Sequence, residues 1–203
     1  PTSPPPPCGC ASPLRAQPHQ GTCACACARS TVRRRAPPLP LPRSVELDER
    51  GAALFALLDA SRAAMWPWGK DKVPKVPFNA NLGEALRLAN VDGAIVRGLE
   101  GATKTLRDEA KGIAAADAKT GAARGTRVSR VLLIANDGSK RFYRDVEALL
   151  AHHRDRLLVV IVEADETTLG EAAFGDEALA RALLITRKAT VASTLLALVP
   201  SGE

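Results

Sequence analysis

The sequence predicts an α/β fold, a three-layer α/β/α sandwich on a small, mostly parallel sheet. Three short apolar runs, at residues 131–135, 157–162 and 182–185, have the length and composition of buried strands. Two segments with helical periodicity separate them, residues 140–153 and the residues that follow Asp165. Strands that alternate with helices are typical of sheets covered by helices on both faces. The core is expected to consist of Ala, Leu and Val, because aromatic residues make up only 3% of the chain.

Further elements are predicted before and after this stretch. Asn81 is a candidate N-cap, and Glu84 stands three residues later in the capping-box position. Ser139 is a second candidate N-cap, for the helix at 140–153. The other predicted elements are helix 81–90, strand 94–96, helix 102–116 and helix 188–198.

The composition divides the chain into three parts. Residues 1–64 are rich in Pro, Cys and Arg and are expected to form a disordered tail, because they hold too little periodic apolar sequence to form a core. Residues 65–77 are expected to be a basic linker, and residues 78–199 the α/β domain. Met65 is the only methionine, so it stays open whether residues 1–64 are translated.

Composition also excludes several classes of function. No stretch reaches the roughly 20 apolar residues that span a bilayer, so no membrane partner is expected and a cytoplasmic location follows by default. All five cysteines lie before residue 28 at C-x-C spacing, which differs from the C-x₂₋₄-C pairs of structural zinc sites. We expect neither a metal site nor a cofactor.

Catalysis is not expected either. His152 and His153 are adjacent, and neighbours in a helix do not share a face, so they do not predict a paired metal site. No nucleophile–base pair appears in the loops after the predicted strands. The carboxylates Asp137, Glu163 and Asp165 would lie near one edge of the sheet. They leave open a second interpretation, in which the chain is a receiver-like signalling or protein-interaction module without catalysis.

Basic residues gather around the first apolar run. Between Lys119 and Arg144 the sequence has seven basic residues and one acidic residue, Asp137. Lysine and arginine gain affinity for nucleic acid by displacing counterions from phosphates. Trp66 and Trp68 stand beside lysines and could pack on the domain or stack on a base. The seven basic residues are Lys119, Arg124, Arg127, Arg130, Lys140, Arg141 and Arg144.

Residues 128–186 resemble the kink-turn-binding ribosomal proteins (the L-seven-Ae type) and their bacterial relatives. The resemblance rests on the order of strands and helices, on Asn136-Asp137 after the first strand, and on Leu169-Gly170-Glu171-Ala172. Upstream, Gly101-Ala102-Thr103-Lys104 stands where the family has its Gly-Asn-Glu-x-x-Lys contact with RNA, without the Asn-Glu pair. The resemblance implies that Lys104, Asp137, Leu169 and Gly170 lie near an RNA-binding face.

The sequence therefore predicts an RNA-binding module that resembles a ribosomal protein and contacts structured RNA through basic loops. The residues predicted to contact RNA come from the basic cluster and from the resemblance. They are Lys104, Lys119, Arg124, Arg127, Arg130, Asn136, Asp137, Lys140, Arg141, Leu169 and Gly170.

Overall fold

The three apolar runs form the central strands of a sheet in the computed structural model, which describes residues 40–121 and 125–200. Among these residues the sheet has six strands, in the order β1-β2-β5-β4-β6-β3. The strands are β1 (Arg62–Ala64), β2 (Lys72–Pro77), β3 (Ile95–Arg97), β4 (Arg130–Ala135), β5 (Leu157–Glu163) and β6 (Ala182–Ile185). Every residue of β6, and every residue of β4 after Arg130, is buried.

The α/β fold class is confirmed, and the sheet is mixed. Strands β2, β5 and β4 pair in parallel, whereas β6 runs antiparallel to β4 and β3 runs antiparallel to β6. The reversal of β6 comes from the segment at 175–181, which doubles back along the preceding helix. Its Ala180 N–H donates to the carbonyl of Glu166, at the start of that helix, 2.8 Å away. The chain therefore enters β6 from the edge where β5 ended.

Helices cover both faces of the sheet. The helices are α1 (Arg43–Glu46), α2 (Gly51–Ala60), α3 (Ala80–Val91), α4 (Leu99–Thr120), α5 (Lys140–His152), α6 (Glu166–Phe174) and α7 (Lys188–Leu196). One core lies between the sheet and α1, α2, α3, α6 and α7, and the other lies between the sheet and α4 and α5. Each described helix is too short or too polar to cross a membrane.

The segment expected to be a linker is part of the sheet. Strand β2 lies within residues 65–77 and buries Val73 and Val76. The linker prediction was wrong. It followed from the rule that prolines disfavour strands, but both prolines of β2 occupy positions where the sheet needs no backbone N–H donor. Pro77 lies beyond the last residue that pairs with β1. Pro74 comes before the first residue of β2 that pairs with β5, so no N–H donor is needed there. The N–H of the next residue, Lys75, points toward β1.

The boundary of the folded part lies earlier than expected. Helices α1 and α2 and strand β1 fall inside the segment predicted to be a disordered tail, and Val45, Leu54 and Leu58 belong to the core. The remainder of that predicted tail, including all five cysteines, lies outside the described residues.

Helix boundaries differ from the predictions in two places. The N-cap of α3 is Asn79, whose side chain accepts from the N–H of Leu82 at 2.7 Å, whereas Asn81 lies inside the helix. Helix α4 spans Leu99–Thr120, so it extends past the predicted helix on both sides and includes Lys119. The predicted cap at Ser139 is confirmed, because its hydroxyl accepts from the N–H of Phe142 at 3.3 Å.

Candidate nucleic-acid interface

Helix α5 begins directly after the turn that ends β4. Burial of Tyr143, Val146 and Leu149 holds the helix on the sheet, so the opposite side of its first two turns faces solvent. The hydroxyl of Tyr143 donates to the carbonyl of Ala135 at 3.2 Å and accepts from the N–H of Gly138 at 3.1 Å. Burial raises the pKa of Tyr143, and Asp137 adds to this effect, so the phenol stays protonated and holds the turn closed.

The first two turns of α5 expose three cations, Lys140, Arg141 and Arg144, which we call the α5 basic surface. Among the residues that the structure describes, no carboxylate forms an ion pair with any of the three. These cations keep their charge available for an anionic partner.

A turn at residues 66–69, the tryptophan turn, lies beside this surface. The N–H of Gly69 donates to the carbonyl of Trp66 at 2.9 Å, which closes a β-turn with Pro67 at its second position. Trp66 is partly buried, whereas the side chain of Trp68, at the third position, is 74% exposed. The turn therefore presents one indole ring to solvent.

Glu147 of α5 fixes this turn in place. Its carboxylate accepts from the Trp66 indole N–H at 3.0 Å and from the backbone N–H groups of Lys70 and Asp71 at 2.9 and 3.3 Å. A side chain at position 69 would come within 2.9 Å of the same carboxylate, so glycine allows the close approach. Asp71 also pairs with Arg154, at 2.6 Å.

Lys140 joins the turn to the basic surface. Its Nζ lies 4.9 Å from the ring centroid of Trp68 and 5.4 Å from that of Trp66, within the range of cation–π attraction. The two indoles meet edge to face, with centroids 6.3 Å apart and an interplanar angle of 78°. Aromatic rings and cations thus share one exposed surface.

The loops after β4 and β5 are acidic. The carboxylate of Asp137 accepts from the N–H of Glu166 at 3.1 Å, and Asp165 caps α6 through the N–H of Thr168 at 2.8 Å. The hydrogen bonds from Thr168 lower the pKa of Asp165. Glu163 pairs with Lys75. Asn136 is exposed in the loop after β4, whereas the α5 basic surface lies on the helix that follows this loop.

The receiver-like alternative was based on the three carboxylates predicted at this edge of the sheet. Asp137, Glu163 and Asp165 each contact a different partner, as described above. Within residues 40–121 and 125–200, no three His, Cys, Asp or Glu side chains are grouped as a metal ion would need.

Two of the predicted RNA contacts, Arg127 and Arg130, lie at the other end of the sheet. Arg130 begins β4, roughly 17 Å along the strand from its carboxyl end, and its guanidinium binds Glu109 at 2.9 Å. Arg127 pairs with Glu46 at 2.6 Å. Lys119 is exposed near the end of α4, and Arg124 lies outside the described residues.

Of the positions taken from the family resemblance, Asp137 contacts the start of α6, the helix that contains Leu169 and Gly170. Leu169 is fully buried, and a side chain at position 170 would lie 2.1 Å from the carbonyl oxygen of Ala178. Neither residue presents a side chain to solvent, and their contact with RNA stays a prediction. Lys104 is exposed on α4, which covers the opposite face of the sheet from α6.

Four of the predicted contacts are neighbours in the structure. Asn136, Asp137, Lys140 and Arg141 lie together at the start of α5, and the structure adds residues that the predicted set omitted. Proline and glycine in Trp66-Pro67-Trp68-Gly69 do indicate a turn. The contact between this turn and α5 joins residues more than 70 positions apart, and no local pattern encodes it. The added residues are Trp66, Trp68 and Arg144.

Comparison with known proteins finds a similar structure for this chain and no matching family. No protein-family model matches it, and no curated protein matches it. A solved structure of a protein of unknown function from Bacillus halodurans is similar to it at 16% sequence identity, with a TM-score of 0.40. The alignment covers 60% of this chain and 98% of that chain.

Proposed function

We propose that this chain is a non-catalytic, cytoplasmic RNA-binding module. The observation that carries the proposal is the α5 basic surface, in which three exposed cations have no carboxylate partner among the described residues. The two predicted arginines at the other end of the sheet are already paired. The start of α5 therefore holds a group of exposed cations that are free to meet phosphates.

The overall charge agrees with a local contact rather than a wholly basic protein. The chain has 28 basic and 22 acidic residues, and much of its excess positive charge lies before residue 65. The folded part is nearly balanced, so long-range attraction is weak and affinity has to come from a few phosphate contacts. Such contacts release counterions, which makes binding strongly dependent on salt.

The acidic loops favour RNA that approaches over α5 rather than over the edge of the sheet. The carboxylates of Asp137 and Asp165, which form no ion pair among the described residues, would repel phosphates placed directly over the strand ends. This orientation departs from the predicted contact through Asp137, and it leaves the family kinship as a prediction.

The test compares two variants with equal loss of charge. In the first, Lys140, Arg141 and Arg144 are each replaced by Gln; in the second, the exposed residues Arg87, Arg187 and Lys188 on the opposite face are replaced in the same way. Fluorescence anisotropy with a labelled RNA hairpin at about 50 mM salt gives the affinities.

We expect the α5 variant to bind roughly ten-fold more weakly or worse, and the opposite-face variant to bind nearly as well as the unmodified protein. Equal losses in both variants would show only general attraction between charges, and no binding by the unmodified protein would contradict the proposal. A single Lys104→Gln variant tests the position implied by the family resemblance, because a loss there would extend the contact onto α4.

A further inference from the structure

We infer that the RNA segment bound here is single-stranded, and that one of its unpaired bases stacks on Trp68. This inference rests on the proposed function and specifies the ligand of the same surface. It starts from the position of the two tryptophans, which are the only ones in the chain. Both lie in one turn next to the α5 basic surface.

The exposure of Trp68 needs an explanation. An indole ring has a large apolar area, and Trp66 in the same turn covers part of its own by packing against the core on the α5 side. Trp68 leaves 74% of its surface in water. A ring held in this way has the properties of a stacking platform, because every base has a flat face that can lie against it.

The platform is held in place before any ligand arrives. Glu147 accepts three hydrogen bonds from the tryptophan turn and the residues after it, and Pro67 restricts the backbone of the turn. Little conformational entropy would be lost when a base stacks on the ring, so more of the stacking energy contributes to affinity.

Lys140 determines what kind of ligand fits. Its ammonium group lies over both rings, so a cationic ligand would meet repulsion there. A nucleotide provides both missing partners, since its base can take the ring face while its phosphate takes the ammonium group. Arg141 and Arg144 then lie on the same helix to contact phosphates further along the strand.

Duplex RNA does not fit this surface in the same way. Paired bases are stacked on one another, and their faces are not available to a side chain. A duplex could contact the cations, but it would leave Trp68 unused. The inference therefore predicts a preference for unpaired strands that depends on the Trp68 ring.

The experiment compares a uridine oligomer of about 12 nucleotides with an RNA duplex of the same length, at low salt. The variants are Trp68→Ala, Trp68→Phe and, as a control for loss of an exposed apolar side chain, Val91→Ala. Val91 is 80% exposed at the end of α3, on the opposite face. Circular dichroism verifies that each variant is folded.

We expect Trp68→Ala to weaken binding of the single strand about five-fold or more. Trp68→Phe should retain most of the affinity, Val91→Ala should retain all of it, and none of the three should change binding of the duplex. In a Trp66→Phe protein, where Trp68 is the only tryptophan, the oligomer should quench the tryptophan emission.

The outcomes separate this inference from the proposed function. If neither RNA binds, the proposed function is contradicted and the inference with it. If both RNAs bind and Trp68→Ala binds the single strand as well as the unmodified protein does, only the inference is overturned.

Discussion

Two adjacent histidines at the end of α5 differ in their surroundings. His153 is only 8% exposed, whereas His152 faces solvent. Burial lowers the pKa of His153 below its ordinary value of 6.5, and the nearby Arg156 guanidinium lowers it further. The folded protein therefore holds His153 neutral under conditions in which the unfolded chain would protonate it.

This difference predicts how stability depends on pH. Because the pKa is lower in the folded state, the contribution of His153 is fully present above about pH 6.5 and is lost as the pH falls toward the lowered value. Urea denaturation across that range should show a decline that is smaller in His153→Gln. In His152→Gln the decline should match that of the unmodified protein. Equal declines in both variants would contradict the assignment.

Gly170 illustrates how a residue that matches a family motif can have a structural role here. The sequence placed it at an RNA-binding face. In the fold, its missing side chain lets the segment at 175–181 double back along α6 and reverse β6. That contact joins two parts of the chain through their backbones, so residue patterns alone did not reveal it.

Two glycine substitutions should therefore have opposite effects. Gly170→Ala should destabilise the protein by about 1–3 kcal/mol, because the added Cβ would clash with the carbonyl oxygen of Ala178. Gly112→Ala, in the exposed middle of α4 with nothing within 4 Å of the new Cβ, should stabilise it by about 0.5–1 kcal/mol. Denaturation midpoints measure both changes. A neutral Gly170→Ala would show that α6 and the returning segment are not in close contact.

At the scale of elements, the strands were predictable where burial is continuous. Strands β4, β5 and β6 are almost wholly apolar and were predicted in place, and β3 was predicted to within a residue. Strand β2 was missed because its two prolines resemble a linker, although they stand at positions of the ladder that need no donor. The direction of β6 was missed because it depends on the return of the chain along α6.

The start of α3 was misplaced for a different reason. Two asparagines stand two residues apart, and the capping-box spacing to Glu84 favoured Asn81. In the fold Asn79 is the cap, and its amide also donates to the carbonyl of Leu198 at 3.4 Å. The side chain of Asn79 is therefore also held by a contact with the segment after α7. The sequence near α3 gives no sign of this contact.

Removal of this cap gives a prediction for the whole element. Asn79→Ala should cost about 1 kcal/mol of stability, because the N–H of Leu82 loses its acceptor. Asn90→Ala, at the exposed far end of the same helix, should change stability by no more than about 0.5 kcal/mol. Chemical denaturation of both variants provides the comparison, and similar costs at the two positions would argue against the Asn79 cap.

At the scale of the whole molecule, the strand order differs from that of receiver domains. Receiver domains share the flavodoxin-like strand order 2-1-3-4-5, whereas here an antiparallel strand, β6, lies between β4 and β3. Helices α4 and α6 pack on opposite faces of the sheet. The RNA-binding proposal depends on α5 and the tryptophan turn, and not on the positions implied by the ribosomal-protein resemblance.

The most direct test of the RNA-binding proposal is the salt dependence of affinity for single-stranded RNA. Each phosphate contact on a single strand contributes about 0.7 to the slope of log affinity against log salt concentration. Replacement of Lys140, Arg141 and Arg144 by Gln should therefore reduce the slope by about 2. Equal slopes in the unmodified protein and this variant, or no binding at low salt, would contradict the proposal that the α5 basic surface binds RNA.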